Sequence, residues 1–506
     1  MPVQTAPRAQ SGVTRDQMNI RNEEQIGFVF EGVPIADPIR YAPYTNTVVD
    51  TENLGPVTVS QGSPDVDAPF YNAVGGQVTM KEVNPSHKMG GFLSLANGTH
   101  SANKEFARFE TGDIGNGGIR GFVSFSHMSW NSWRGPGGGR RYHLDAKFVK
   151  AWGRDNAIAG LFSYNATTFN SFVDPTLAQW HQYGRGLNYD GGAYNGNDPN
   201  YYKLNSNLNH AMTVAAPAHF RLAPAVTLDV TPYYMHMFGP APYGERINTT
   251  QSYFGTVPTG SLGIGGAAPD TEITTLASYK LTPRDQIYVN GTTSFRAPGS
   301  VAAFNYNIVN HQVTSYGYIP GTNSLVSEPL NVGGETSRGI EAELGLAHWH
   351  HFSPYLSGQY LHATFDNNYN DGIGYLPTAG KIAVDSPKFT GAIGLQYDDG
   401  RLFANFDLRY VDSQYTTFMN DQALHAYVTS NLALGCRLKA IGPARHPQIQ
   451  LNLMNLGDNK YLSGAGSNTG AAHDTRATNG QIVAGAAPVY VVGGGFSALV
   501  SMSAGF

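Results

Sequence analysis

The chain has 506 residues, of which 14% are charged and 12% aromatic, with 60 Gly, 29 Pro, 29 Tyr and 25 Phe. Soluble chains average roughly 25% charge; this balance excludes disorder, which wants high charge and few aromatics, and no run of about 18 apolar residues offers a membrane helix. A formal charge of -5 without a long basic block gives no case for nucleic acid, and the single Cys436 excludes a disulfide framework or a multi-cysteine metal centre.

In chain order, residues 1–16 read as a disordered stub, because Met1 to Gln10 holds no apolar core of the kind a secretory leader requires. Residues 17–83 read as a compact α+β piece, with short apolar runs at Ile26 to Phe30 and Val57 to Val59 and tight glycine turns. From 84 to 506 the pattern changes to period two. Ile340, Ala342, Leu344 and Leu346 oppose Glu341, Glu343 and Gly345, and Phe389, Ile393, Leu395 and Tyr397 oppose Thr390, Ala392, Gly394 and Gln396. Leu402, Ala404, Phe406, Leu408 and Tyr410 alternate with Phe403, Asn405, Asp407 and Arg409, and Ile449, Leu451 and Leu453 with Gln448, Gln450 and Asn452. The last strand sets Phe496, Ala498, Val500, Met502, Ala504 and Phe506 against Ser497, Leu499, Ser501, Ser503 and Gly505. Such alternation places one set on each face of a sheet.

A soluble sandwich alternates too, so periodicity alone leaves that class open. Three features favour a transmembrane barrel. Strand-like segments follow one another from about Met89 with no convincing helical run; aromatics such as Tyr233, Tyr234, Phe238, Tyr410 and Tyr415 sit at strand ends; and short links (Gly153 to Asn156, Asp398 to Gly400) interleave with long ones (Asn170 to Tyr201, Gly239 to Asp270, Asp366 to Val384). Lipid gives the backbone no hydrogen bonds, so strands span it only as a closed sheet. The length allows some 20 strands of about ten residues.

The 17–80 segment carries Arg21, a turn at Gly32, Val33 and Pro34, then Val59, Gly62 and Pro64, and closing Gly75 and Gly76. The barrel carries "FRAPGS" with Arg296, "SRGIEAEL" with Gly339, "NLMNLGDNKYL" with Asn455, Asp458 and Tyr461, and the terminal Phe506. Together these resemble TonB-dependent outer-membrane receptors across about residues 17–506. The resemblance implies an all-β barrel of about 22 antiparallel strands with a partial α+β plug at the N-terminus, and import of a scarce nutrient into a Gram-negative cell across its outer membrane. It implies a ferric siderophore or similar small cargo, on the family's commonest use. Implied partners are the TonB energy-transducing complex, outer-membrane lipid and the barrel-assembly machinery, with the receptor a monomer. Asn22, Glu31 and Gly55-Pro56 depart from the family's usual residues. No signal peptide or TonB-binding box is recognisable and there is room for about half a plug, so a truncated gene model or a decayed receptor is expected.

Transport of this kind needs no catalytic residue, cofactor or bound metal. Cargo is expected at aromatic and polar side chains of plug apices and loops: Tyr41, Tyr44, Phe70 and Tyr71 on the plug, and Tyr183, Tyr189, Tyr194, Tyr201 and Tyr202 in the long loop. His348, His350 and His351 read as a solvated turn, and His236 as part of an interfacial girdle. His311 follows FRAP as a haem ligand would, but only Thr322 to Leu325 stands near the expected partner motif. Haem, cobalamin and oligosaccharide uptake therefore stay as alternatives, with a passive porin or a soluble β-rich binding protein or hydrolase in other classes. Glu341 and Glu343 have the spacing of a carboxylate pair, yet point together into a polar lumen.

Overall fold

The computed structural model describes residues 27–35, 47–61 and 76–506, except 154, 195–197, 199, 224–225, 240, 244–251, 255–256, 261–275, 279–280, 284–300, 309–311, 319–324, 346–349, 373 and 467–468. Two bodies of sheet are present. Strands β1 (Gly27–Phe30), β2 (Val33–Pro34), β3 (Leu54–Gln61) and β4 (Gly76–Glu82) form a small sheet in the order β2-β1-β4-β3. The described part of the N-terminal piece is strand and turn; the helical half of the α+β expectation, like the 1–16 stub, lies outside the described residues.

The second body is a closed barrel. It opens with β5 (Met89–Gly98), β6 (Ala102–Thr111), β7 (Ile119–Asn131), β8 (Gly138–Trp152) and β9 (Asn156–Asn170), each antiparallel to the next. Then come β10 (Ser206–Ala215), β11 (Ala218–Ala223), β12 (Val226–Val230) and β13 (Tyr233–Phe238). Both β10 and β11 pair with β9, while β13 pairs with β10 and β12 with β11. They are thus two wall strands, broken at Ala216-Pro217 and Thr231-Pro232, where proline cannot donate to the ladder. Later strands at 281–283, 301–308, 335–345, 352–365, 389–398, 402–411, 427–437, 445–454 and 497–505 complete the ring, giving sixteen wall strands among the described residues. The expected total of about 22 extends over segments outside them. The 497–505 strand pairs with β5, and Phe506 exchanges backbone hydrogen bonds with Gly91, sealing the seam.

Which face points out decides between barrel and sandwich. Ile340, Leu344, Ile393, Leu395, Leu402, Val500 and Met502 are exposed, whereas Glu335, Ser337, Gln450 and Asn452 are buried. A soluble monomer does not expose such a continuous apolar band; the greasy side of each zigzag faces outward and the wet side lines the lumen. Outward aromatics include Trp152 and Phe389 at strand ends, with Tyr142, Phe148 and Tyr360 further in. Loop lengths also follow the expected alternation. Gly153 and Asp155, both at positive φ, turn the chain between β8 and β9, and Gly400 does so after Asp398. At the other end runs the loop 171–205. It holds one short helix, α1 (Leu177–Tyr183), in a stretch where the sequence reading placed none; Thr176 and Gln179 form its capping box, a signal legible in "TLAQ".

Candidate functional site

The small sheet lies inside the barrel, against the inner faces of β6 to β9. Its entry turn is built by Asn53 and Leu54 donating backbone N–H bonds to the carbonyls of Asp50 and Thr51, which projects Asp50, Glu52 and Asn53 at the wall. Asp50 Oδ1 accepts from Arg141 Nη1 at 2.6 Å and lies 3.1 Å from Lys104 Nζ, while its Oδ2 accepts from Ser126 at 2.6 Å. Lys104 also donates to Glu52. Asn53 donates to Ser124 and to Asp145 Oδ2, and accepts from Arg108. Each of these wall residues sits at an alternate position of β6, β7 or β8, so the strand period delivers them to one inner surface.

The second contact is the turn between β1 and β2. Glu31 and Gly32 both have positive φ, and a Cβ on Gly32 would come within 2.9 Å of Thr231 at the wall break. Glycine is needed there on both counts. Glu31, at the position where the resembling family carries Asp, accepts from Lys147 at 2.5 Å and from the backbone N–H of Glu82. An apolar patch sits beside it: Phe28, Phe30, Val33, Ile35, Val48 and Met80 pack on Leu161, Ala215 and Tyr233 of the wall.

These charges are buried, so their balance sets the carboxyls. Burial would raise Asp50, but Arg141 and Lys104 beside it outweigh burial and hold it well below the usual aspartate range. Glu82 goes the other way, pushed well above the usual glutamate range by burial and then by the nearby Asp145, with Glu31 adding to it. Asp50, His143 and Asp145 bring one ligand atom each within 4.8 Å of one another. Asp50's oxygens are already taken by Arg141, Lys104 and Ser126, and Asp145's by His143 and Asn53, so the donor set fits a charge-paired contact better than a cation cage.

Above this contact, loop 171–205 folds over the long-loop end. Arg134 donates to the carbonyls of Leu187 and Val173 and lies over the rings of Trp133 and Phe172. Arg185 donates to Asp458 at 2.6 Å and to the carbonyl of Asn459. Leu177 and Trp180 of α1 pack with Leu424, Leu462, Tyr490 and Val492. Of the expected cargo tyrosines, Tyr194, Tyr201 and Tyr202 form one group, with Tyr194 stacked on Tyr201 at 5.1 Å and Tyr201 edge-on to Tyr202. Tyr183 is exposed on α1. Tyr189 is enclosed in the loop, its hydroxyl pushed up to about 12 by burial and the neighbouring Asp174. Tyr41, Tyr44, Phe70, Tyr71 and His311 lie outside the described residues, as do Arg21, Gly62, Gly75 and Arg296.

The remaining motif residues hold the architecture together. Asn455 ties its turn to the carbonyls of Asn459 and Gly494, Asp458 accepts from Arg185 and from the backbone of Phe496, and Tyr461 stacks on Tyr427 at 4.2 Å. Gly339 pairs between Phe304 and Leu361 in the wall. His350 and His351 lie in a short turn, both at positive φ. His236 pairs with Met212 on the outward face. The inner charged residues Lys104, Arg108, Arg141, His143 and Lys147 were not among the expected site residues. The signal for them is in "RRYHLDAKF", where charged side chains at alternate positions oppose Tyr142, Leu144, Ala146 and Phe148.

Comparison with known proteins agrees with the motif reading. Residues 299–456 match the family model described as TonB dependent receptor-like, beta-barrel. No curated protein matches the chain in sequence. Among solved structures, the chain is similar to the siderophore receptor PiuA from Acinetobacter baumannii (11% identity, TM-score 0.61, covering 96% of this chain and 89% of that one). It is also similar to the ferric yersiniabactin uptake receptor FyuA from Yersinia pestis (13%, TM-score 0.62, 96% and 89%) and the ferric-catecholate import receptor Fiu from E. coli K12 (11%, TM-score 0.60, 96% and 90%). At these identities the likeness is one of fold.

Proposed function

We propose that the chain, whose residues 299–456 match the TonB dependent receptor-like beta-barrel model, is an outer-membrane receptor importing a ferric siderophore or similar small iron chelate past a plug. The observation that carries this reading is the inner sheet, seated within the closed barrel and held to one side of it by the Asp50, Glu52, Asn53 and Glu31 contacts. A passive porin needs an open lumen, whereas an occluded one fits a gate that is opened on demand. The similar siderophore and ferric-chelate receptors suggest the cargo class; the Tyr194, Tyr201 and Tyr202 group supplies a surface suited to a flat, partly aromatic chelate. Energy coupling through TonB and a monomeric state in the membrane belong to the same proposal.

Titration calorimetry on the detergent-purified chain tests it, with ferric hydroxamate, catecholate and hydroxycarboxylate chelates beside haemin and cobalamin. Saturable heat with one iron chelate is expected, and replacing Tyr194 and Tyr201 by Ala is expected to weaken it roughly tenfold, as for buried aromatic contacts. Heat with haemin or cobalamin alone, or with none of the panel, overturns the cargo class.

A further inference from the structure

The connections at the long-loop end are built in two ways. Loops 366–388, 412–426 and 455–496 are joined backbone to backbone: the Asp385 N–H bonds to the Tyr415 carbonyl, those of Phe418 and Met419 to Thr469 and Gly470, and that of Thr478 to Tyr375. Asn420 accepts from the Ile382 N–H at 2.7 Å and donates back to the Ile382 carbonyl at 2.8 Å, as a second strand would. Phe365, Leu376, Val384, Phe418, Ala477 and Val483 bury one shared core among them. Cross-bonded backbone over a common core opens only as a whole.

Residues 174–186 are held differently. Their neck is cinched: the Val173 N–H donates to Asn188 Oδ1 at 3.1 Å, Asn188 donates to the Arg134 carbonyl, and Arg134 holds the carbonyls of Val173 and Leu187. The segment between, which carries α1, stands on the 132–137 connection and reaches loop 455–496, from which β5 to β8 separate it on the ring. There the Tyr490 N–H bonds to the Pro175 carbonyl at 2.9 Å, and Leu177 and Trp180 rest against Leu462, Tyr490 and Val492, although no residue of α1 is buried. Arg185 completes the contact, donating at 2.6 Å to both Asp458 Oδ1 and the Asn459 carbonyl, with the aspartate side chain 52% exposed. A closed neck, a helix without buried anchors and a solvent-facing ion pair are the parts of a hinged flap.

We propose that residues 174–186 are the moving door of the long-loop mouth, latched by Arg185 on Asp458, while the three fused loops stay fixed. Opening it uncovers the sector of β5 to β8, where the connections 99–101 and 132–137 are short. Its service as a cargo entrance rests on the receptor reading above; the neck and the latch do not.

Hydrogen exchange is followed by mass spectrometry on the full chain purified in detergent. Distances between spin labels at Gln182→Cys and Gln481→Cys are measured by pulsed electron resonance in a Cys436→Ser background. Exchange in 174–186 is expected to exceed that in 412–424 and 475–483. Arg185→Gln is expected to speed it about fivefold, the effect of an exposed ion pair, and to broaden the label distances, with 412–424 and 475–483 unchanged. Asp458→Asn keeps an acceptor for the Phe496 N–H; it is expected to match Arg185→Gln, and the double variant to add nothing further. Gln182→Ala, exposed on the same helix, is expected to leave exchange unchanged. Equal exchange in wild type and Arg185→Gln, additive effects in the double variant, an equal rise in Gln182→Ala, or a rise in the fused loops along with 174–186 each overturns the proposal. Heat-modifiable migration of each variant checks that the barrel is intact. The measurement uses no cargo, so failure of the door is distinguishable from failure of the receptor reading, which the calorimetry tests.

Discussion

Two arcs of the same barrel treat the lumen differently. The inner face of β6 to β8 presents Lys104, Arg108, Arg141, His143, Asp145 and Lys147, and the described plug meets it with Glu31, Asp50, Glu52 and Asn53. The inner face of 389–398 and 445–454 presents Thr390, Ala392, Gly394 and Gln396, then Gln448, Gln450 and Asn452, with Gln448 donating to Gln450 and Gln450 to Asn452 at 2.7 Å. Among the described residues, the first arc holds the inner sheet through charges, whereas 389–398 and 445–454 line the lumen with small and amide side chains. Charged partners in low dielectric are costly to separate. The difference teaches that the described inner sheet is anchored through charges to one side of the barrel; under the proposed function, passage is expected along the other.

The strongest way to break this contrast is Asp50→Asn, which leaves Arg141 buried without its counter-charge and Lys104 with Glu52 alone. Loss of about 3–5 kcal/mol of docking is expected, read as faster hydrogen exchange across β1 and β4 with barrel exchange unchanged; unchanged plug exchange would show that the ionic contact is not the grip. Next in size is Gly493→Ala, on the neutral side. Its Cβ would stand 2.3 Å from the Tyr461 ring, and about 1–3 kcal/mol of overpacking is expected in the thermal midpoint, without plug release.

A pH series sharpens the comparison. Asp50 is depressed, so its stabilisation is present above the ordinary aspartate range and lost as pH falls through its folded value. Glu82 is raised, so its contribution is full below the ordinary glutamate range and lost as pH rises through its folded value. Plug docking should therefore weaken on both limbs, and Glu82→Gln should flatten the higher-pH limb alone. If exchange of the inner sheet has the same profile in wild type and variant, Glu82 plays no part in docking. The smallest effect is expected from Gln448→Ala, about 1 kcal/mol on the barrel and none on plug exchange; a plug response there would erase the distinction between the arcs.

Much of the barrel is legible in the sequence because lipid and lumen impose opposite chemistry on adjacent residues. Val500 and Met502 point out and Leu499 in, as their alternation requires. The NLMNLGDNKYL motif is legible as a strand and its turn, though its tie to Arg185, 273 residues away, is not, since no local pattern encodes that partner. The charged contact was readable only in half. The alternate charges of β8 announce an inward face needing counter-charges, but which acids supply them depends on how the N-terminal sheet is seated. Loop tyrosines are the least legible, because Tyr serves loop folding and ligand contact with the same atoms.

The grip is also laid out lengthwise. From Lys147 through Asp145 to Arg141, the anchoring side chains of β8 span about 20 Å along the strand, each bound to a different plug residue. Traction applied from the short-turn end would reach Lys147 first and unfasten the rungs one after another, so the peak load is that of a single rung rather than the sum. Single-molecule pulling should then record several small steps; one large rupture would mean that the rungs fail together.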